Sequence, residues 1–208
     1  RRQPNLPLGI PPHTRDYVRR AAIAGSASKV DFRVKGDLWD FPFHDPKQGE
    51  FRIASQIENA TFAYAPPLEG QAPLWPAFTQ LKGELVFDRL SMQIRKAQAR
   101  IDGFELANVQ GGIARLHDNP TLLLDGAGRG PLADALRYVQ ATPIAGWTHQ
   151  ALSQARATGE MQLKLGLRMP LHEVVSSRIN GSVLLLGNDV ELKPGVPAFA
   201  QTRGTGEF

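Results

Sequence analysis

A glycine-rich run is the first stretch whose residue types could do chemistry. The segment "LLLDGAGRGPLADAL" at 122–136 has the order of an apolar strand, a glycine-rich loop and a helix. Dinucleotide-binding loops begin in this way, because glycines let the backbone approach a pyrophosphate. However, Pro131 stands where the fingerprint needs glycine or alanine, and no acidic residue follows at the ribose position. We therefore expect no nucleotide, and we expect Gly126, Gly128 and Gly130 to form a turn with a helix cap.

Other short motifs that resemble catalytic or metal sites are incomplete. "HEVVS" at 172–176 has one histidine of a zinc-protease pair, since Ser176 takes the second position. "SASK" at 26–29 has the serine–lysine spacing of penicillin-binding enzymes but no "KTG" follows it. No acid, base and nucleophile converge, so we expect no enzymatic activity, no metal and no cofactor. The five histidines are scattered along the chain: His13, His44, His117, His149 and His172.

Composition places the chain among folded soluble proteins and limits its partners. Hydrophobic residues make up 42% of the 208 positions and charged residues 21%. The net charge of +4 comes with no dense basic block, so a nucleic-acid partner is not expected. Cysteine is absent, which excludes disulfides and thiolate sites. No apolar run reaches the roughly 20 residues of a membrane-spanning helix. Because the chain stops within a strand-like pattern, we expect it to be a piece of a longer protein.

Alternation of apolar and polar residues with a period of two dominates the chain and predicts strands. It is clearest in five segments: 32–38, 51–58, 81–88, 92–95 and 161–168. Strands with one apolar and one charged face are typical of antiparallel sheets. The predicted fold is therefore mainly β, an elongated and twisted antiparallel sheet with a few short helices.

Helical periodicity is confined to three short segments. One helix is predicted at 14–24 with Thr14 as its cap, a second at 131–140, and a weak third near 147–155. In the second segment, Leu132, Ala135 and Leu136 share one helical face and follow Pro131, a residue suited to a first helical position.

An internal repeat organises the chain. Because its matches occur in the same order in both halves, we predict a first unit at 1–130 with an N-terminal helix and a truncated second unit at 131–208. By the same logic, another alternating strand should follow residue 208. The matches are "FPFH" (41–44) with "MPLH" (169–172), "RIASQI" (52–57) with "RINGSV" (178–183), and "WPAFTQLKGEL" (75–85) with "VPAFAQTRGTGEF" (196–208).

The apolar faces of the strands are the candidate binding surface. They could close on one another as a sandwich core, or they could line an open groove for an acyl chain. Periodicity cannot separate these two interpretations, because both need the same alternation. The predicted groove residues are Phe51, Ile53, Ile57, Phe62, Tyr64, Leu85, Phe87, Met92, Ile94, Ile101, Leu122, Leu124, Met161, Leu163, Leu165, Leu167, Val183, Leu185, Val190 and Leu192.

Several motifs together give the chain a family resemblance. The segments "DFPF", "FAYAP", "WPAF", "GELVFD" and "GPLADALRYV" resemble the YhdP family of AsmA-like bacterial envelope proteins, over roughly residues 6–208. Members of that family are long proteins with one N-terminal inner-membrane helix and a periplasmic body of repeating β-groove units. The resemblance identifies this chain as an interior stretch of that body.

The resemblance implies a sheet curled into a half-pipe with a hydrophobic interior, along which phospholipids move between the inner and outer membranes. It implies phospholipid partners and a periplasmic location in a protein anchored in the inner membrane. Contacts with both membranes would be made by parts of that protein outside this chain. Two alternatives remain: a structural or protein-binding envelope module with a closed β-core, and a hydrolase of envelope polymers. The hydrolase rests only on scattered acidic residues and histidines.

Overall fold

A single antiparallel sheet organises the chain. The computed structural model describes residues 12–208 apart from 42, 46, 68 and 69, and apart from the side chains of 12–15, 38 and 174. The strands are β1 (Ala22–Gly36), β2 (Gly49–Phe62), β3 (Phe78–Asp88), β4 (Ser91–Ile101), β5 (Phe104–Ile113), β6 (Thr121–Pro131), β7 (Arg156–Ala157), β8 (Glu160–Pro170), β9 (Arg178–Glu191) and β10 (Phe199–Glu207). The helices are α1 (Pro12–Ala21), α2 (Leu132–Ala141) and α3 (Ile144–Trp147), with 3-10 turns at Leu38–Asp40 and Val174–Ser176.

The strands follow one another across the sheet almost in chain order. The order is β1-β2-β3-β4-β5-β6-β8-β9-β10, and the two-residue β7 pairs with β9 beside the start of β8. Among the described strands every pairing is antiparallel, and β1 and β10 lie at the two edges of the sheet. The mainly β, antiparallel fold predicted from the alternation is therefore confirmed.

Two opposite borders of the sheet are formed by strand ends. We call the border at the ends of β2, β4 and β6 (Phe62, Ile101, Pro131) the helix rim, because α1 joins β1 there and α2 follows β6. The opposite border, at Gly36, Asp88 and the other ends of these strands, is the loop rim. The loop rim carries both 3-10 turns and the tight β3–β4 turn.

The glycine-rich run forms part of a strand, so its prediction as a turn was wrong. Gly126, Gly128 and Gly130 lie within β6 and pair with residues of β8. They occupy the next alternate positions of the strand after Leu122 and Leu124, on the same face of the sheet. Because a glycine has no side chain, the sequence does not show the alternation there. Pro131 ends this strand in an extended conformation, with φ −61° and ψ 133°, and α2 begins one residue later without a side-chain cap.

The predicted helices are confirmed in part. The helix predicted at 131–140 corresponds to α2, whereas the helix predicted at 14–24 ends at Ala21 because the chain continues as β1 along β2. The weak helix at 147–155 was wrong, since α3 ends at Trp147 and turns follow. His149 and Gln150 have φ of 50° and 61°, which no α-helix accommodates. The proposed cap, Thr14, lies outside the described side chains.

The repeated segments occupy equivalent places in the sheet. A helix, a strand, a 3-10 turn and two strands follow one another both from α1 to β3 and from α2 to β10, with α3 and β7 inserted in the second series. The cross-strand pair Ile57–Gly83 corresponds to Val183–Gly206. Within the two "P-x-H" matches, Phe43 and Leu171 are both buried. The boundaries at 130 and 131 stay a prediction, while the sheet continues across them through the β6–β8 pairing.

Helix α1 joins the apolar core. Tyr17 and Ala21 belong to one buried cluster with Ile113, Leu122 and Met169, which lie near the loop rim. Tyr17 also contacts Phe62 at the helix rim, with ring centroids 6.5 Å apart. A ten-residue helix can belong to a cluster that reaches both rims only if the sheet curls around it.

A buried asparagine joins β7, β8 and β9. The Asn188 side chain is fully buried, and its Oδ1 accepts a hydrogen bond from the Leu186 N–H at 2.8 Å. Its Nδ2 donates to the carbonyl oxygens of Thr158 at 2.9 Å and Glu160 at 3.1 Å. These bonds satisfy backbone groups between the end of β7 and the start of β8, and one backbone N–H of β9.

Replacing this asparagine should destabilise the sheet. We expect Asn188→Ala to lower the free energy of unfolding by about 2–4 kcal/mol, because one N–H and two carbonyl groups lose their buried partner. Asn180→Ala, at an exposed position of the same strand, should change it by less than about 0.5 kcal/mol. Urea unfolding of both variants measures the difference, and equal stabilities would contradict this role of Asn188.

Candidate functional site

The strand register places large apolar residues side by side across most of the sheet. Directly opposed residues in an antiparallel pair project from the same face. Starting at the β1 edge, seven apolar residues oppose one another in succession through β8. This row is Phe32, Ile53, Phe87, Met92, Ile113, Leu122 and Met169.

Further rows widen this apolar face toward the helix rim. Leu85 opposes Ile94, and in the same row Leu124 opposes Leu167, which in turn opposes Ile179 of β9. The face then continues on β8 and β9 with two more opposed apolar pairs, Leu163–Val183 and Met161–Leu185. The apolar face is therefore continuous from β1 to β9.

The glycines of β6 and β10 lie on this same face between larger residues. Gly126 opposes Leu165 and Gly128 opposes Leu163, while on the other side a Cβ at Gly128 would come within 2.9 Å of Leu106 Cδ2. On β10, Gly206 opposes Val183. On the apolar face, glycines without side chains thus lie beside large residues, and neighbouring side chains can occupy the space above the glycines.

Seventeen of the twenty predicted groove residues lie in strands whose register puts apolar residues on this face, and the other three need separate description. Tyr64 follows β2 in a loop, and Leu192 follows β9 and is exposed. Val190 pairs with Ala157 and Phe199 beyond a register irregularity. Phe51, Leu122 and Met161 are buried, and the predicted residues other than these and Leu192 are half-buried. Whether these residues bind lipid stays a prediction.

Half-burial of the apolar face reflects a sheet that is not closed on itself. The chain exposes 13,339 Å², whereas a compact protein of 22.8 kDa would expose about 9,600 Å². Phe208, at the β10 edge, is 56% exposed. The structure therefore leaves part of the apolar face accessible, and α1 covers another part of it.

An aromatic cluster at the helix rim links the β2–β3 loop to α2 and α3. The Trp75 ring lies 6.1 Å from Tyr64, 6.4 Å from Tyr138 and 5.7 Å from Trp147, measured between centroids. The Tyr64 and Tyr138 hydroxyls share a hydrogen bond of 2.5 Å, and the Tyr17 hydroxyl donates to the Tyr64 carbonyl oxygen at 2.6 Å. These contacts hold three segments of the chain together beside the apolar face.

Burial changes the acidity of these tyrosines. Desolvation raises the pKa of Tyr64 far above its usual value, and the neighbouring Tyr138 raises it further. Desolvation also raises the pKa of Tyr138 and Tyr17. All three tyrosines therefore stay neutral at physiological pH and can act as hydrogen-bond donors.

The outer face of the sheet is charged. Glu105 accepts ion pairs from Arg100 at 3.3 Å and from Arg129 at 3.2 Å. Near the loop rim, Asp88 pairs with Arg89 at 3.1 Å and Arg52 at 4.0 Å. Exposed pairs of this kind add little stability, but they keep the outer face hydrated.

The short motifs do not assemble into a reactive site. Ser26 and Lys29 are exposed on the edge strand β1, and the Ser26 hydroxyl donates to the Glu58 carbonyl oxygen at 3.4 Å. The rings of His44 and His117 approach to 6.5 Å at the loop rim, while His172 is exposed. Among the residues that the structure describes, no three histidine, aspartate or glutamate side chains are grouped to hold a metal.

Several residues of the apolar face and its rim were not predicted. Met169 continues the alternation of β8 past Leu167, and Phe32 belongs to a segment already predicted as a strand. Both could have been found by extending the period-two pattern to the strand ends. Trp75 and Tyr138 gave no such signal, because their proximity depends on a loop and a helix that meet only in the folded chain.

The three tyrosines should titrate only when the chain unfolds. Burial raises their pKa values in the folded chain above the usual tyrosine pKa of about 10, so above about pH 10 the unfolded chain loses protons first. Stability is therefore retained below that pH and falls as pH rises through it. We expect tyrosinate absorbance to appear together with the loss of β-sheet circular dichroism. Tyrosinate formation near pH 10 with an intact spectrum would contradict the burial of these hydroxyls.

No helix in the described part of the chain has both the length and the apolarity needed to span a membrane. No solved structure shows significant similarity to the chain.

Sequence comparison supplies the family. The chain is 27% identical over 180 residues to a protein of Escherichia coli (strain K12) named intermembrane phospholipid transporter YhdP. The match covers 86% of this chain but 13% of that relative's length. The model of the YhdP protein family matches residues 4–208. This chain, with the open apolar sheet described above, is therefore a member of the YhdP family.

Proposed function

We propose that this chain is a segment of a bridge-like lipid-transfer protein and that phospholipid acyl chains lie along its apolar face. The observation that carries the proposal is the continuous, half-buried apolar face from β1 to β9. The E. coli relative is named an intermembrane phospholipid transporter, which supports phospholipid as the cargo and transfer between membranes.

The chemistry of the face suits a sliding lipid. Each methylene that leaves water for an apolar surface gains about 0.8 kcal/mol, so an acyl chain is held without any specific polar contact. Side chains such as Leu163, Leu165 and Val183 offer only dispersion and hydrophobic contact. A lipid can move between equivalent positions on such a surface, while its headgroup stays in water.

The second half of the sheet offers an accessible path. Helix α1 packs against residues of β5, β6 and β8 near the loop rim. Ile179 and Phe208, on β9 and at the β10 edge, are exposed. We infer that an acyl chain lies along β8, β9 and β10, over Leu163, Val183 and Leu185.

The repeat accounts for how a longer groove could be built. If 1–130 and 131–208 are successive units, each adds strands with the same cross-strand pairing, as Ile57–Gly83 and Val183–Gly206 do. Both edge strands present unpaired backbone groups, to which further units can add. A protein that carries phospholipid between two membranes would hold such units in the periplasm, anchored to the inner membrane and contacting both membranes through parts outside this chain.

The edge strands also support a second candidate function. β1 is exposed along almost its entire length, and it carries Val30 and Phe32 with exposed side chains. An envelope protein could add a strand to this edge, in which case the chain would be an interaction module. This candidate predicts a bound protein and no bound lipid.

A charge on the apolar face should abolish lipid binding. We expect the unmodified chain, incubated with phospholipid vesicles and re-isolated, to retain phospholipid in native mass spectrometry and organic extraction. Leu163→Asp and Val183→Asp should each reduce retention at least about tenfold, because a buried carboxylate is strongly penalised beside an acyl chain.

The matched control is Gln162→Asp, which adds the same charge to β8 on the outer face, where Gln162 opposes Arg129. It should retain lipid like the unmodified chain, and circular dichroism should show that all variants are folded. Equal lipid retention by the three variants would rule out this face as the lipid path. Absence of lipid together with capture of a defined envelope protein would support the interaction module.

A further inference from the structure

A basic cavity lies on the outer face, away from the apolar face. It is formed by β1, β2 and the β3–β4 turn at the loop rim and has a volume of about 540 Å³. Five cationic side chains and three carboxylates line it, so the lining carries two more positive than negative charges. The cations are Arg33, Lys35, Lys47, Arg52 and Arg89.

The carboxylates neutralise only some of these cations. Asp31 pairs with Arg33 at 3.2 Å, and Asp88 is shared between Arg52 and Arg89. Within the described part of the chain, neither lysine of the cavity has a carboxylate within ion-pair distance. Glu50, the third carboxylate, opposes Lys35 across β1 and β2 without forming an ion pair. One excess charge therefore comes from the two arginines that share Asp88, and the other from the two lysines against Glu50.

Arg89, at the β3–β4 turn beside the cavity, has one buried hydrogen-bond donor, its Nε, that lacks an acceptor. Its backbone is held in a left-handed turn with φ 48°, and its N–H donates to the Phe51 carbonyl oxygen at 2.9 Å. The guanidinium donates through Nη1 to Asp88 at 3.1 Å and through Nη2 to the Gly49 carbonyl oxygen at 3.4 Å. Its Nε is buried and has no partner. A buried donor without an acceptor is costly.

We propose that this cavity binds a phosphate group. A phosphate carries up to two negative charges and several acceptor oxygens, which match the two excess charges and the N–H donors of the arginine and lysine side chains. Arginine guanidinium groups suit phosphate oxygens through paired N–H donors, and lysine ammonium groups act as mobile point charges. The phosphate could belong to a lipid headgroup at a membrane surface or to a small soluble ester.

The site is separate from the proposed lipid path. Arg33 and Arg52 oppose each other on the outer face, whereas Phe32 and Ile53, one residue away on each strand, oppose each other on the apolar face. A lipid whose acyl chains lie over β8 and β9 cannot place its headgroup in this cavity, several strands away. The phosphate site therefore goes beyond the proposed function and can be tested without it.

The test compares two double variants with the same change in net charge. Lys35→Gln with Lys47→Gln removes the unpaired cavity cations, while Lys82→Gln with Lys164→Gln removes two exposed lysines outside the cavity. Calorimetric titration with inorganic phosphate at low salt should show binding to the unmodified chain. The cavity variant should bind phosphate at least roughly tenfold more weakly, since charged hydrogen bonds are lost. The control variant should stay within about twofold.

Further arms identify the source of the phosphate and guard against misfolding. Co-sedimentation with phosphatidylglycerol vesicles, but not with neutral phosphatidylcholine vesicles, would assign a lipid headgroup. Phosphate binding without vesicle binding would assign a soluble ester. Lys35→Arg with Lys47→Arg should keep phosphate binding if the charges are what matters. No phosphate binding by the unmodified chain, or equal affinities of the two glutamine variants, would overturn the proposal.

Discussion

The strand register is the constraint on which the rest of the structure depends. In an antiparallel sheet, a shift of one residue would move every side chain to the opposite face. The pairing of Phe87 with both Ile53 and Met92 places large apolar residues beside one another, and the same happens on each following strand through β8. One apolar face and one charged face result, and every functional feature lies on one or the other.

The sheet curls around α1, which covers only part of the apolar face. Helix α1 contributes Tyr17 to a cluster that reaches both rims, and the aromatic contacts of Trp75 and Tyr138 join the helix rim to α2. These elements bury part of the apolar face, while Ile179 on β9 and Phe208 at the β10 edge stay exposed. A closed core would have made the molecule more compact but would have removed the accessible apolar surface that the proposed lipid path requires.

The two faces separate two kinds of chemistry. The apolar face offers hydrophobic contact without polar groups, which is suited to a cargo that must not be trapped. The outer face carries the charges, and at the loop rim it gathers unpaired lysines with the buried Nε of Arg89. Because successive residues of a strand point to opposite faces, both surfaces are built from the same β1 and β2 strands without interfering.

The sequence by itself determined the antiparallel β class, the strands around Ile53, Leu85 and Leu163, helix α2 and the family, because alternation and motifs are local properties. It could not show that Gly126 and its neighbours lie in a strand, since glycines leave no trace of alternation. It also could not place α1 on the apolar face, bring Trp75 to Tyr138, or assemble the basic cavity. Those features depend on pairing and curling that join distant segments, and only the tertiary structure decides them.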